Sequence, residues 1–211
     1  MKTTKDVILR EAFRLFMEKN YEKVTVSELE KATGVSRGGI FHYMGNKEGL
    51  FRKVVDKYIF EVTNIYDRIS YLDINATRFE DLIGIYLAEV DKNFLYLVAE
   101  SGLILTDCIK SYYKFMLQAE KYYPNFNYLM NKYDANIFYL WKNILDSSKK
   151  SGEIRMDVDS VQVIELFRYT YFGVTYGTTF MEDIIDVQKM TKDFNFIYSL
   201  IKNDKDVVIF E

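Results

Sequence analysis

A single cysteine, Cys108, leaves no disulfide framework within the chain and no cysteine cluster for a metal. A single histidine, His42, has no second histidine to share a metal with and no Ser or Cys partner set for triad chemistry. There is no glycine-rich phosphate loop either, so an enzyme is not expected, and no catalytic residue, cofactor or metal site is assigned. One proline, Pro124, and ten glycines are too few for a turn-rich β architecture and point to long helices. No run approaches the roughly 18 apolar residues of a membrane span. The opening MKTTKDVILREAF lacks the apolar core of a secretion signal. A soluble, cytoplasmic, all-α protein without a membrane partner is the expectation.

What the chain does have is apolar content and an uneven charge. Hydrophobic residues make up 49% and charged residues 28%, enough for a buried core under a solvated surface. The net charge is −3, but it is divided. Through Lys57 there are 12 Lys and Arg against 8 Asp and Glu, and beyond it 16 against 23. A basic head on an acidic body suits binding of a polyanion by the head alone.

The chain is organised around TVSELEKATGVSRGGIFHYMGNKEGL, Thr25 to Leu50. Thr25 is a helix N-cap and Glu28, three residues on, completes a capping box. Leu29 and Ala32 give that short helix its apolar face, and Gly34 ends it in a left-handed conformation. Val35 plugs the turn and Ser36 caps a second short helix, Arg37 to Met44. Two adjacent glycines in it, Gly38 and Gly39, each weaken a helix by about 1 kcal/mol relative to alanine. A backbone that must approach a duplex closely gives that cost a reason. Gly45 and Asn46 start the next helix, with Lys47 in its first turn, where backbone N–H groups favour phosphate. This is a helix-turn-helix pattern.

Residues 5 to 57, through AFRLFMEKNYEKVTVSELEKATGVSRGGIFHYMGNKEGLF, resemble the N-terminal DNA-binding domain of the TetR family of bacterial transcriptional regulators. Family members usually carry Tyr at Phe41, Phe at Met44 and Gly at Asn20, the last a change that tolerates a left-handed cap. At Phe41 the lost hydroxyl removes a phosphate bond, leaving a ring that packs or touches a sugar or methyl. The resemblance implies a homodimer on a palindromic double-stranded DNA operator, two recognition helices about one turn or more apart. Arg37 is the candidate base contact. Gly38, Gly39, His42 and Tyr43 are placed near groove or backbone, Ser36 at the helix cap facing the duplex, and Thr25, Ser27 and Lys47 at phosphates.

Residues 1–50 are assigned to this head, with residues 46–69 as one long rigid connecting helix, and 51–211 to an all-helical body for effector binding and dimerisation. Helical spacing predicts elements over 4–19, 79–97, 103–123, 126–150, 161–181 and 187–203, and Ile209 and Phe210 are expected against the body. Gly173 and Gly177 share a face, and Phe194, Ile197, Leu200 and Ile201 form a stripe. Such helices would build a four-helix dimer interface, as the resemblance implies, or would simply cover the protomer's own core. With 18 Tyr and 16 Phe, the body has material for an aromatic cavity. Tyr86, Phe94, Tyr112, Phe115, Trp141, Phe167 and Tyr171 are its candidate lining, for a small hydrophobic or aromatic effector that relieves repression by shifting the dimer's conformation. The alternative is a helical protein-interaction module on the same scaffold without sequence-specific DNA binding.

Overall fold

The computed structural model describes residues 4–62, 64–180 and 187–203; the expected helix end at Met181 and the expected packing of Ile209 and Phe210 lie outside them. Ten α-helices make up the described chain: α1 Thr4–Glu18, α2 Val26–Thr33, α3 Arg37–Met44, α4 Lys47–Val55, α5 Ile65–Ile69, α6 Phe79–Ser101, α7 Leu105–Tyr122, α8 Phe126–Lys150, α9 Ser160–Phe180 and α10 Val187–Ile201. None is long and apolar enough to cross a membrane.

The head forms as its local signals require. In α1, Ile8, Leu9, Ala12, Phe13, Phe16 and Met17 fall on one side and are buried. Thr25 Oγ1 accepts from the Glu28 amide at 3.2 Å while the Thr25 amide donates to Glu28 Oε2 at 2.8 Å, so the capping box is complete. Gly34 closes α2 at φ 67°, Ser36 Oγ accepts from the Gly39 amide, and Asn46 Oδ1 accepts from the Gly49 amide. Asn20 departs from expectation. It is extended at φ −64°, ψ 148°, so no left-handed cap is needed there.

Head and body share a core rather than meeting at residue 50. Phe51, Val54, Val55 and Tyr58 are buried together with Phe13 and Phe16 of α1 and with Cys108, Phe115 and Ala119 of α7. Gln118 of α7 ties the joint further, its Nε2 donating to Phe16 O at 3.2 Å and its Oε1 accepting from the Tyr21 amide. The second core joins α5, α6, α8, α9 and α10 around Phe79, Trp141, Phe167 and Phe194. Glu153, in the connector after α8, accepts from the Phe79 and Glu80 amides at 2.9 and 3.0 Å and so caps α6.

The connecting helix is not a straight rod from 46 to 69. After α4 the chain takes a π-helical turn, Asp56–Glu61, and Asn64 caps the separate helix α5 by accepting from the Asp67 amide. In the π turn the Val62 N–H reaches back five residues to Lys57 O at 3.1 Å. The Tyr58 carbonyl instead accepts from the Tyr112 hydroxyl at 2.9 Å. A side chain that supplies a bond to a backbone carbonyl is a known cause of such bulges.

The capping box carries a pH signature. The Lys19 ammonium, 2.6 Å from Glu28 Oε1, and then the Thr25 amide hold the Glu28 carboxyl from 4.5 down to about 2. Because the folded value is depressed, the contribution is present above 4.5 and is lost as pH falls through about 2. Glu28→Gln keeps the cap geometry and removes the charge. Unfolding midpoints of the two proteins should differ by a constant amount at neutral pH and converge between these limits; curves that stay parallel to the acid end would refute the assignment.

Candidate nucleic-acid interface and internal cavity

Helix α3 buries Ile40 and Met44 against the head and presents the rest of its surface outward. Arg37, Gly38, His42 and Tyr43 are exposed, as are Thr25, Ser27 and Ser36. The Arg37 amide donates to Glu30 Oε1 at 2.6 Å, and its guanidinium lies 5.6 Å from the centre of the Phe41 ring. Phe41 is thus a half-buried platform for the arginine, a role that needs no hydroxyl. His42 and Tyr43 stand edge to face at 5.3 Å, and Lys53 Nζ donates to Tyr43 O at 2.6 Å. The two glycines separate in role. A Cβ at Gly38 would meet open space, whereas one at Gly39 would lie 2.7 Å from Val35 Cγ1, so Gly39 answers to the turn's own packing.

Two expectations at this face need correction. Lys47 lays its ammonium 4.4 Å from the centre of the Tyr21 ring and 3.4 Å from Glu22 O, where burial lowers its pKa. It is oriented by the head rather than extended toward solvent. The Thr25 hydroxyl both accepts from the Glu28 amide and donates to the Glu28 carboxylate, whereas the Ser36 hydroxyl only accepts, so its O–H and that of Ser27 are the ones left to donate.

Inside the body, α6, α7, α8, α9 and α10 enclose a cavity of about 390 Å³. Tyr86, Phe94, Tyr112, Trp141, Phe167 and Tyr171 all line it. Phe115 does not. It packs edge-on against Phe13 at 5.6 Å and Phe51 at 5.8 Å in the core shared with the head, because α7 turns that face toward α1. Sequence reasoning missed Tyr133, Asp134 and Arg168 in the lining. Arg168 donates to both carboxylate oxygens of Asp134 at 3.0 and 2.8 Å, across 34 residues, and no local pattern announces such a pair.

The expected dimer stripe on α10 is also corrected. Phe194, Ile197 and Ile201 are buried in the protomer's own core, and Phe194 reaches the cavity wall. Leu200 is half exposed and Gly173 faces open space, whereas Gly177 is buried. What stands exposed instead is Leu166, Tyr169, Phe172 and Tyr176 on α9 with Phe196 and Leu200 on α10. Helix α9 is apolar on most of its circumference. Such a helix has two faces to bury, and that signal was legible even though the periodicity could not say which face was which.

Cavity and head meet at Tyr58. The Tyr112 hydroxyl, at the cavity wall, holds the Tyr58 carbonyl, and the Tyr58 ring stacks on Phe13 of α1 at 3.9 Å with 6° between planes. The Tyr58 hydroxyl donates to Glu100 Oε2 at 2.7 Å, while Arg14 Nε of α1 donates to Glu100 O at 2.8 Å. Burial first, and then the Glu100 carboxylate, push the Tyr58 pKa far up, so it remains a donor.

Residues 8–54 match the family model for bacterial regulatory proteins of the tetR family. Over 74 residues the chain is 38% identical to the HTH-type transcriptional repressor AcnR of Corynebacterium glutamicum, covering 35% of this chain and 39% of that protein. The identity to AcnR of Corynebacterium efficiens is 59% over 44 residues, 21% of this chain and 23% of that one. The chain therefore spans well under half the length of these curated relatives. Along most of its length it has the fold of SmeT, the repressor of the Stenotrophomonas maltophilia multidrug efflux pump SmeDEF. The TM-score is 0.66 at 16% identity, over 97% of this chain and 93% of that one. The matched helices are the ones that carry the capped turn and the exposed face of α3, and over these residues the chain is similar to the bacterial regulatory proteins of the tetR family.

Proposed function

We propose that this protein is a DNA-binding transcriptional regulator, a repressor that binds a palindromic operator as a homodimer and is released by a small hydrophobic or aromatic molecule. The observation that carries the reading is the outward face of α3. Arg37, Gly38, His42 and Tyr43 are exposed side by side on a helix held by caps at both ends, within the matched family region. Arg37 is suited to bidentate guanine recognition in a major groove, with His42 and Tyr43 beside it at backbone or base edges.

Dimerisation is supported by the apolar face of α9 and α10. Six large apolar side chains exposed together on two adjacent helices exceed the scattered exposure normal for a monomer. A two-fold copy of the same face would bury them and set the two α3 helices at a fixed spacing. Effector control is supported by the cavity and its polar bridge to the π turn. A ligand that displaces α7 would change the Tyr112–Tyr58 bond, and with it the Phe13 stack under the head.

Selection of duplexes from a random pool, followed by fluorescence anisotropy, tests the DNA reading. Arg37→Ala should weaken binding to the selected duplex by roughly tenfold to a hundredfold. Wild-type affinity should fall steeply with salt as phosphate counterions are released. Recovery of no enriched sequence would refute the proposal. On sedimentation, the wild type should run as a dimer and the Tyr169→Glu, Leu200→Glu double variant as a folded monomer; a variant that stays dimeric places the interface elsewhere. Tyr112→Phe removes the hydroxyl that holds the Tyr58 carbonyl. Amide exchange across 56–62 should then speed up by about fivefold to tenfold, a net hydrogen bond's worth, with α8 unchanged. Unaltered exchange would mean that the π turn does not depend on Tyr112.

A further inference from the structure

The cavity's chemistry narrows what it can hold. Five tyrosines line it, and three are committed. The Tyr112 hydroxyl donates to Tyr58 O, the Tyr133 hydroxyl accepts from the Ile65 amide at 3.3 Å, and Tyr113 is hydrogen-bonded to Thr175. Tyr86 on α6 and Tyr171 on α9 remain, their rings 6.3 Å apart at 71°. Neither hydroxyl has a hydrogen-bond partner among the described residues, although Tyr86 is more than nine-tenths buried. The charged groups in the lining are already matched. Arg168 and Asp134 face each other in a two-bond pair, and Arg168 also donates to Glu165 at 3.1 Å. The rest of the wall near Tyr86 is aromatic, with Trp141 perpendicular to it at 5.1 Å and Phe167 5.3 Å from Trp141.

We propose that the cavity takes a neutral, flat aromatic molecule bearing a hydroxyl or carbonyl, whose oxygen is hydrogen-bonded by Tyr86 and Tyr171. An anion or a cation would leave water without a free counter-charge in the wall. A hydrocarbon of the same shape would cover both hydroxyls and give them no partner, which is the costly way to treat a buried polar group. Burial holds both phenols far above their usual pKa, so they stay protonated and can donate to a ligand oxygen. The inference rests on the reading of the cavity as the effector site.

Equilibrium dialysis of the full chain at neutral pH against β-naphthol, naphthalene, β-naphthoate and β-naphthylmethylammonium tests it. Trp141 is the only tryptophan, so its emission reports whether a probe sits in this cavity. β-Naphthol should quench Trp141 and bind at least about tenfold more tightly than each of the other three. In the Tyr86→Phe, Tyr171→Phe double variant that advantage over naphthalene should disappear, because β-naphthol loses its partners and naphthalene no longer covers two unpartnered hydroxyls. Preference for either ion, or an advantage that survives in the double variant, overturns the inference and leaves the cavity an effector site. Binding of none of the four, or binding without a change in Trp141 emission, overturns the cavity reading together with it.

Discussion

Tyr58 is held at three points, and the position of the head on the body follows from them. Its carbonyl is bonded by Tyr112, its hydroxyl by Glu100 and its ring by Phe13. A backbone carbonyl released from its usual partner inside a core has to find another, and Tyr112 supplies it. The π turn is therefore a consequence of tertiary packing. The body is then joined to the head through a bonded node within a shared core, and the stiffness of one long helix is not required.

What the sequence made legible was local. Thr25, Glu28, Gly34, Ser36 and Asn46 act within four residues of themselves, so their roles could be read from spacing, and they stand as read. The apolar sides of α1 and α6 were legible for the same reason. The π turn was not, because Leu50, Val54, Val55, Tyr58 and Val62 keep a helical spacing that one extra residue per turn barely disturbs, and its cause lies 54 residues away at Tyr112. Phe115 was assigned to the wrong surroundings, and the two surroundings open to Phe194 were not resolved, for a related reason. A stripe on a helix says that a face is buried, but not whether a neighbouring helix or a second protomer buries it. On α9, with apolar residues nearly all round, Ile164 and Phe167 are buried in the protomer's core while Leu166, Tyr169, Phe172 and Tyr176 stand exposed.

The same aromatic richness explains why a cavity survives among so many large side chains. Rings are rigid and favour edge-to-face contacts, as between Trp141 and both Phe79 and Tyr86 at 86° and 90°. Five helices that present rings in this way meet around a space rather than interdigitating to fill it. The Arg168–Asp134 pair ties α9 to α8 at its wall.

The energetics of the proposed switch limit how it can work. A hundredfold loss of DNA affinity needs about 2.8 kcal/mol of difference between the two conformations. The Tyr112–Tyr58 hydrogen bond alone supplies about 1 kcal/mol. An aromatic stack such as Phe13 on Tyr58 adds about another, and the bond from the Arg14 guanidinium to Glu100 O about 2. An effector that disturbed only the first would give a weak response. One that moved α7 enough to carry Tyr58 with it would draw on all three, because each passes through Tyr58 or its partner Glu100. The switch is therefore expected to be a displacement of this node as a unit, with α1 and the α3 helix it supports following the Tyr58 ring.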